Sequence, residues 1–138
     1  MNDKVARIID ANCNRTREGI RVLEEIGRFW LDDPSLFDAL KSMRHRFSVI
    51  ETALRTIMPH SISARESADD VGKEYIPQLE SRRTDVMSLL DANARRVEES
   101  LRVLEEFSKL TESAPVQDIK NLRFEMYTLE KNIKNALG

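Results

Sequence analysis

The feature that most constrains this chain is an internal repeat. The stretch Ile8 to Glu25 recurs as Leu89 to Glu106, with ten of 18 aligned positions identical. Asp10, Asn12, Arg15, Glu18, Arg21, Glu24 and Glu25 return as Asp91, Asn93, Arg96, Glu99, Arg102, Glu105 and Glu106. In both copies the apolar residues fall at three- and four-residue spacing, the period of a helix with one buried face. A weaker repeat follows: Leu40-Lys-Ser-Met-Arg44 aligns with Ile119-Lys-Asn-Leu-Arg123, and Glu51 with Glu130. The repeating unit is therefore a helical hairpin. Two hairpins predict an all-α, pseudo-twofold four-helix bundle with a long central connection.

Capping signals set the boundaries. Asn2 or Asp3 caps a first helix running to about Leu31. Asp33 then serves as N-cap, with Pro34 at the first helical position of the second helix. That helix carries Leu36, Leu40, Met43, Phe47, Ile50 and Leu54, and Pro59 ends it. A third helix starts between Ser81 and Asp85 and runs to about Leu110. The fourth follows Pro115, with Ile119, Leu122, Met126, Leu129 and Ile133 as its stripe. The chain thus divides into hairpin 3–58, connection 59–82 and hairpin 83–137, within one domain spanning 1–138. A polar connection of this length is unusual in a compact domain and is either a tether or a functional loop.

Composition narrows the function. A formal net charge of -2 provides no basic field for duplex nucleic acid. The single Cys13 excludes an internal disulfide and a cysteine-rich zinc site, and suits a reducing cytoplasm. The N-terminus does not read as a signal peptide, and no apolar run approaches the roughly 20 residues of a membrane span.

Repeated apolar positions serve a core, but repeated polar ones need another reason. Projected at about 100° per residue, Asn12 falls in the middle of the first helix's apolar face, among Ile8, Leu23, Ile26 and Trp30. Arg15 and Gly19 lie on or beside that face, with Glu18 at its edge, whereas Asp10, Arg21 and Glu24 point away towards solvent. The second copy places Asn93, Arg96 and Ser100 likewise. Arg44 and Glu51 share a face with Leu40 and Phe47, as Arg123 and Glu130 do in the second hairpin. Two readings compete. In one, Arg15 with Glu18 or Glu51, and their counterparts, form ion pairs that fix helix register. In the other, the arginines line a cleft and bind an anion such as phosphate by planar bidentate contacts.

Other chemical candidates are thinner. His45 and His60 lack partners at metal-ligand spacing. Cys13 lies off the predicted core centre and reads as a small apolar residue. Asp69-Asp70-Val71-Gly72 suits a hydrated Mg²⁺ or a simple polar turn.

Asp-Ala-Asn-x-Asn-Arg-x-Arg-Glu-Gly-x-Arg-Val-Leu-Glu at Asp10 to Glu24 resembles the small hydroxymethylpyrimidine phosphate kinases of thiamine biosynthesis. That family occurs alone or fused to thiamine-phosphate synthase. The resemblance continues through Leu31-Asp-Asp-Pro34, Leu40 to Arg46, Arg65 with Asp70-Val-Gly72, the second motif copy, Leu122-Arg123 and Tyr127-Thr-Leu-Glu130. Cys13, Thr16 and Ser100 depart mildly from the pattern. The resemblance implies ATP-dependent phosphorylation of 4-amino-5-hydroxymethyl-2-methylpyrimidine monophosphate to the diphosphate, with ATP and Mg²⁺ as cofactors. On that basis Arg15, Arg96, Glu18 and Glu99 are the catalytic candidates. Asn12, Asn93, Arg44, Arg123 and Arg65 are candidates to bind the substrate, and Asp70 to bind the metal. The implied partners are the pyrimidine monophosphate and thiamine-phosphate synthase; a homodimer is left open, as is a non-catalytic docking, dimerisation or phospho-ligand-sensing module.

Overall fold

The computed structural model describes residues 3–73 and 83–138. Two of the helices begin where the sequence supplies a capping acceptor. Asp33 Oδ1 accepts the Leu36 N–H at 3.0 Å, and Pro34 opens α2, Pro34–Ile57. Asp85 Oδ1 accepts the Ser88 N–H at 2.7 Å and opens α3, Val86–Ser108. The first helix, α1, is Asp3–Glu25, and α4 is Val116–Leu137. A short 3-10 turn, Ser67–Asp69, lies in the connection. The fold class is all-α with four long helices, and the described residues contain no strand. The expected helix start near Ser81, with residues 74–82 of the connection, lies outside the described residues.

Between α1 and α2 the chain makes one π-helical turn, Ile26–Trp30. The wider turn changes the side-chain phase, so Phe29 and Trp30 are 64% and 65% exposed. Trp30 is therefore not on the apolar face that uniform helical projection gave it. The same projection is rotated by about one residue along α1. The buried line runs Ile9, Cys13, Thr16, Ile20 and Leu23. Cys13, at 0% exposure, is at the core centre rather than off it. Asn12 is buried on the flank of that line.

The widest helix interface is between α1 and α3, which cross near the pseudo-twofold axis. Thr16 Oγ1 and Ser100 Oγ are 2.6 Å apart there. Because Thr16 is equivalent to Val97 and Gly19 to Ser100, the same crossing on the other side of the axis sets Val97 against Gly19. A hydroxyl pair on one side thus corresponds to a bulky residue against glycine on the other. A Cβ on Gly19 would lie 2.7 Å from Val97 Cγ2 and 3.3 Å from the Asn93 carbonyl oxygen, so this approach requires glycine.

Repeated carboxylates hold each hairpin together. Asp10 of α1 meets Arg55 of α2 at 2.9 Å, and its equivalent Asp91 of α3 meets Lys134 of α4 at 3.1 Å. Glu24 accepts from Arg44 at 2.7 Å, and Glu105 from Arg123 at 3.0 Å. Asp10 and Glu24 are only 3% and 2% exposed, which corrects the expectation that they face solvent. Burial is tolerable because each is matched to a guanidinium. Arg21 is exposed as expected, yet its guanidinium reaches Glu24 at 3.7 Å. Glu51 pairs with Arg17 at 2.7 Å and Arg55 at 2.8 Å, not with Arg15.

The connection is tied to the same framework. Arg65 clasps Asp10 through Nε at 2.6 Å and Nη2 at 2.7 Å. Burial pushes the Asp10 carboxyl up, but hydrogen bonds from Arg65 and Arg55 and their charges outweigh it and hold it below the ordinary value of 3.8.

Two outcomes follow from this packing. Gly19→Ala adds overpacking of about 1–3 kcal/mol against a helix-propensity gain of about 1 kcal/mol. Urea unfolding should show a net loss, largely recovered in the Gly19→Ala/Val97→Ala double variant. Asp10→Asn leaves two arginines without their carboxylate and should cost about 3 kcal/mol at pH 7. Since the folded-state value is depressed, the wild-type advantage is present above about pH 4 and shrinks as pH falls through the folded-state value. Unfolding curves of both proteins at pH 7 and pH 3 check this.

Candidate functional site

A two-lobed cleft lies beside the first half of α1, lined partly by the ion-pair framework and partly by side chains outside it. The first lobe, about 620 Å³, lies between α1 and the connection and is lined by Lys4, Arg7, Asn12, Arg15, Arg65 and Asp70, among others. The second lobe, about 480 Å³, lies between α1 and α3, and its lining includes Arg83, Arg95, Arg96 and Glu99. Asn12 and Arg15 line both lobes. Helical periodicity makes this possible, because Asn12, Arg15 and Gly19 form one stripe on α1 facing the α3 crossing.

Arg15 and Arg96 are exposed. Arg15 Nη1 donates to Asn12 Oδ1 at 3.4 Å, and among the described residues neither arginine makes an ion pair. Arg65 contributes to the first lobe while bound to Asp10, and Arg7 reaches Glu66 at 3.5 Å. Among the described residues, the second lobe's lining holds four arginines and one carboxylate, that of Glu99. In a chain with net charge -2 this is a local excess of positive charge. Such a lobe, with planar guanidinium donors, suits a phosphate group.

The asparagines are partly committed. Asn12 Nδ2 donates to the Ile8 carbonyl at 2.8 Å, and Asn93 Nδ2 to the Leu89 carbonyl at 2.9 Å. Each amide therefore spends one donor on its own helix, and the Asn12 Oδ1 acceptor is turned towards Arg15. Asp70 is exposed in the first lobe, where its Oδ1 accepts the Gly72 N–H at 2.7 Å. Among the described residues, no group of three or more His, Cys, Asp or Glu is gathered to hold a metal ion. Burial pushes the Cys13 thiol up to about 12, with Glu51 and Asp10 adding to the shift, so it is inert as a nucleophile.

The structure thus brings together Asn12, Arg15, Arg65, Arg96, Glu99 and Asp70. Arg44 and Arg123 are held by Glu24 and Glu105 in the hairpins, and with Glu18 and Asn93 they are not among the residues lining the cleft. Sequence reasoning missed Lys4, Arg7, Arg83 and Arg95. The available signal was the Arg95-Arg96 doublet; Arg95 stands where the first copy has Asn14, so repetition does not pick it out.

No helix among the described residues is long and apolar enough to cross a membrane. No solved structure matches the chain. Thiamine-phosphate synthase of Synechocystis sp. is 42% identical over 94% of this chain and 36% of its own length. The thiamine-phosphate synthases of Nostoc punctiforme and Rhodopirellula baltica are 40% and 35% identical, again over 94% of the chain. The chain therefore spans about a third of the length of these curated relatives.

These relatives correct the expectation of an ATP-dependent pyrimidine phosphate kinase, because the activity in their names is a synthase. The physical reason is visible in the fold. Much of the motif behind that expectation, including Asp10, Arg21, Glu24, Arg44 and Arg123, is ion-pair framework, which identifies an ancestry and leaves the reaction open. The ThiD2 family profile matches residues 7–132, nearly the whole repeat architecture, and the chain belongs to that family.

Proposed function

We propose that this chain serves thiamine-phosphate synthesis as a helical module that binds a phosphate ester in the two-lobed cleft. The observation that carries this reading is the pair Arg15 and Arg96. Both are repeated in sequence, both are exposed in the second lobe, and neither is spent on an ion pair among the described residues. The compound named in the relatives' activity, thiamine phosphate, is itself a phosphate ester. Its phosphate would sit against Arg15 and Arg96, with Arg83 and Arg95 adding positive charge around it. Asn12 lies between the lobes, where its Oδ1 can accept from the organic part of the ligand. A Mg²⁺ ion arriving with the phosphate would find one carboxylate in the second lobe, Glu99, within the one or two that Mg²⁺ commonly takes from protein. The lone, buried Cys13 suits work in the cytoplasm.

A second reading is docking on a thiamine-phosphate synthase or on another copy of this chain. It is favoured by the exposed Phe29 and Trp30 at the end of α1, a pair of the kind found at protein interfaces.

Calorimetric titration with thiamine phosphate, unphosphorylated thiamine and ATP with Mg²⁺ separates these readings. Thiamine phosphate should bind in a salt-dependent manner and thiamine should not. Losing one charge-assisted hydrogen bond costs about 1.5–3 kcal/mol, so Arg15→Ala and Arg96→Ala should each weaken binding by roughly tenfold or more with little change in melting temperature. Equal binding of thiamine and its phosphate, or full affinity in both variants, would contradict the cleft reading. ATP bound at the same site in competition would reassign the ester to a nucleotide.

A further inference from the structure

The two halves of the repeat also part company at a contact between the two helices of each hairpin. In the first hairpin Arg17 of α1 donates to Glu51 of α2 at 2.7 Å. In the second, the equivalent residues are Glu98 of α3 and Glu130 of α4, so a cation–carboxylate pair has become two carboxyl groups. Glu98 is 8% exposed and Glu130 is half-buried. Glu98 Oε2 is buried without a partner, and the carboxyl group that acts on Glu98 from α4 is that of Glu130. A hydrogen bond between two carboxyl groups needs a proton on one of them, since an ionised carboxylate only accepts.

The surroundings do not supply a substitute cation. The charged groups acting on Glu98 are Glu130 from α4 and, on its own helix, Arg95 and Glu99. Arg95 is exposed in the second lobe, and among the described residues no ion pair joins Glu98 or Glu130 to a base. On the α1 side, Gly19 faces Val97 and Thr16 faces Ser100, and neither residue titrates in the accessible range. Two carboxylates this close cannot both ionise without mutual repulsion.

We propose that Glu98 and Glu130 share one proton, donated by Glu98, and so form a pH-sensitive latch between α3 and α4 that the first hairpin lacks. Burial first, then the hydrogen bond to Glu130 and its charge, push the Glu98 carboxyl from 4.5 up to about 8. The folded chain therefore keeps a proton that the unfolded chain releases. The latch contributes fully below about pH 4.5, and its contribution is lost as pH rises towards about 8.

The test is urea unfolding of the full chain from pH 5 to 9 for wild type, Glu98→Gln and Glu98→Arg. Gln keeps the donor without the titration, and Arg rebuilds the Arg17–Glu51 arrangement. One linked proton changes an equilibrium about tenfold per pH unit. The wild-type unfolding constant should therefore climb about tenfold per pH unit relative to either variant from about pH 5, levelling near 8. A carboxyl ¹³C NMR titration of the wild type, independent of whether a variant folds, should show Glu98 titrating well above the other glutamates. A wild-type to Glu98→Gln ratio constant within about twofold over the range, or Glu98 titrating with ordinary carboxylates, would overturn the latch.

Discussion

The structure depends on carboxylates that are buried on the first helix of each hairpin and matched by cations on the second. Two packed helices carrying long apolar stripes can slide by a turn with little loss of hydrophobic burial. A buried carboxylate cannot slide, because any other register strands it without its guanidinium. Asp10 with Arg55 and Glu24 with Arg44 fix both ends of the first hairpin; in the second, Glu105 with Arg123 fixes one end, and Asp91 with Lys134 is a more exposed counterpart at the other. Arg65 extends the device by hanging the connection on Asp10. That places part of the connection over α1 and forms the first lobe of the cleft.

Symmetry supplies the framework, and departures from symmetry supply the individuality. At the α1–α3 crossing the equivalent contacts are a hydroxyl pair on one side and valine on glycine on the other. Asn14 becomes Arg95, which enriches the second lobe in cations. Arg17 becomes Glu98, which turns an ion pair into an acid pair. The candidate residues of the cleft and the acid pair are thus either repeated but outside the ion pairs, as Arg15 and Arg96 are, or found where the copies differ.

The four helices, their hairpin pairing and most boundaries were legible in the sequence, because apolar period and capping residues are local signals. Asp33-Pro34 marks a helix start that the structure bears out, and the third helix starts just after Asp85, at the end of the expected range Ser81 to Asp85. Burial of individual polar residues was less legible. Assuming one uniform turn angle rotated the α1 face by about a residue, enough to send Asp10 and Glu24 to solvent and Cys13 off the core. The π-helical turn at Ile26–Trp30 shifted Trp30 outward for the same reason. For the site, repetition found Arg15 and Arg96 but could not separate them from Arg44 and Arg123. Only the position of Glu24 and Glu105 decides which arginines are already paired. The link to thiamine biosynthesis was legible and the activity was not, since a shared ion-pair framework looks the same whichever reaction the cleft serves.

The central claim is that the repeated motif is first a set of buried, register-fixing ion pairs. A double-mutant cycle on Glu24 and Arg44, using Glu24→Gln, Arg44→Met and the double variant, tests it most directly. Buried networked pairs show coupling of up to about 3 kcal/mol, whereas exposed pairs give about 0.2–1 kcal/mol. The account predicts a coupling of about 2 kcal/mol or more in urea unfolding at pH 7. A coupling below about 0.5 kcal/mol would mean that the two side chains are independent, and that something other than the repeated charges sets the register of the bundle.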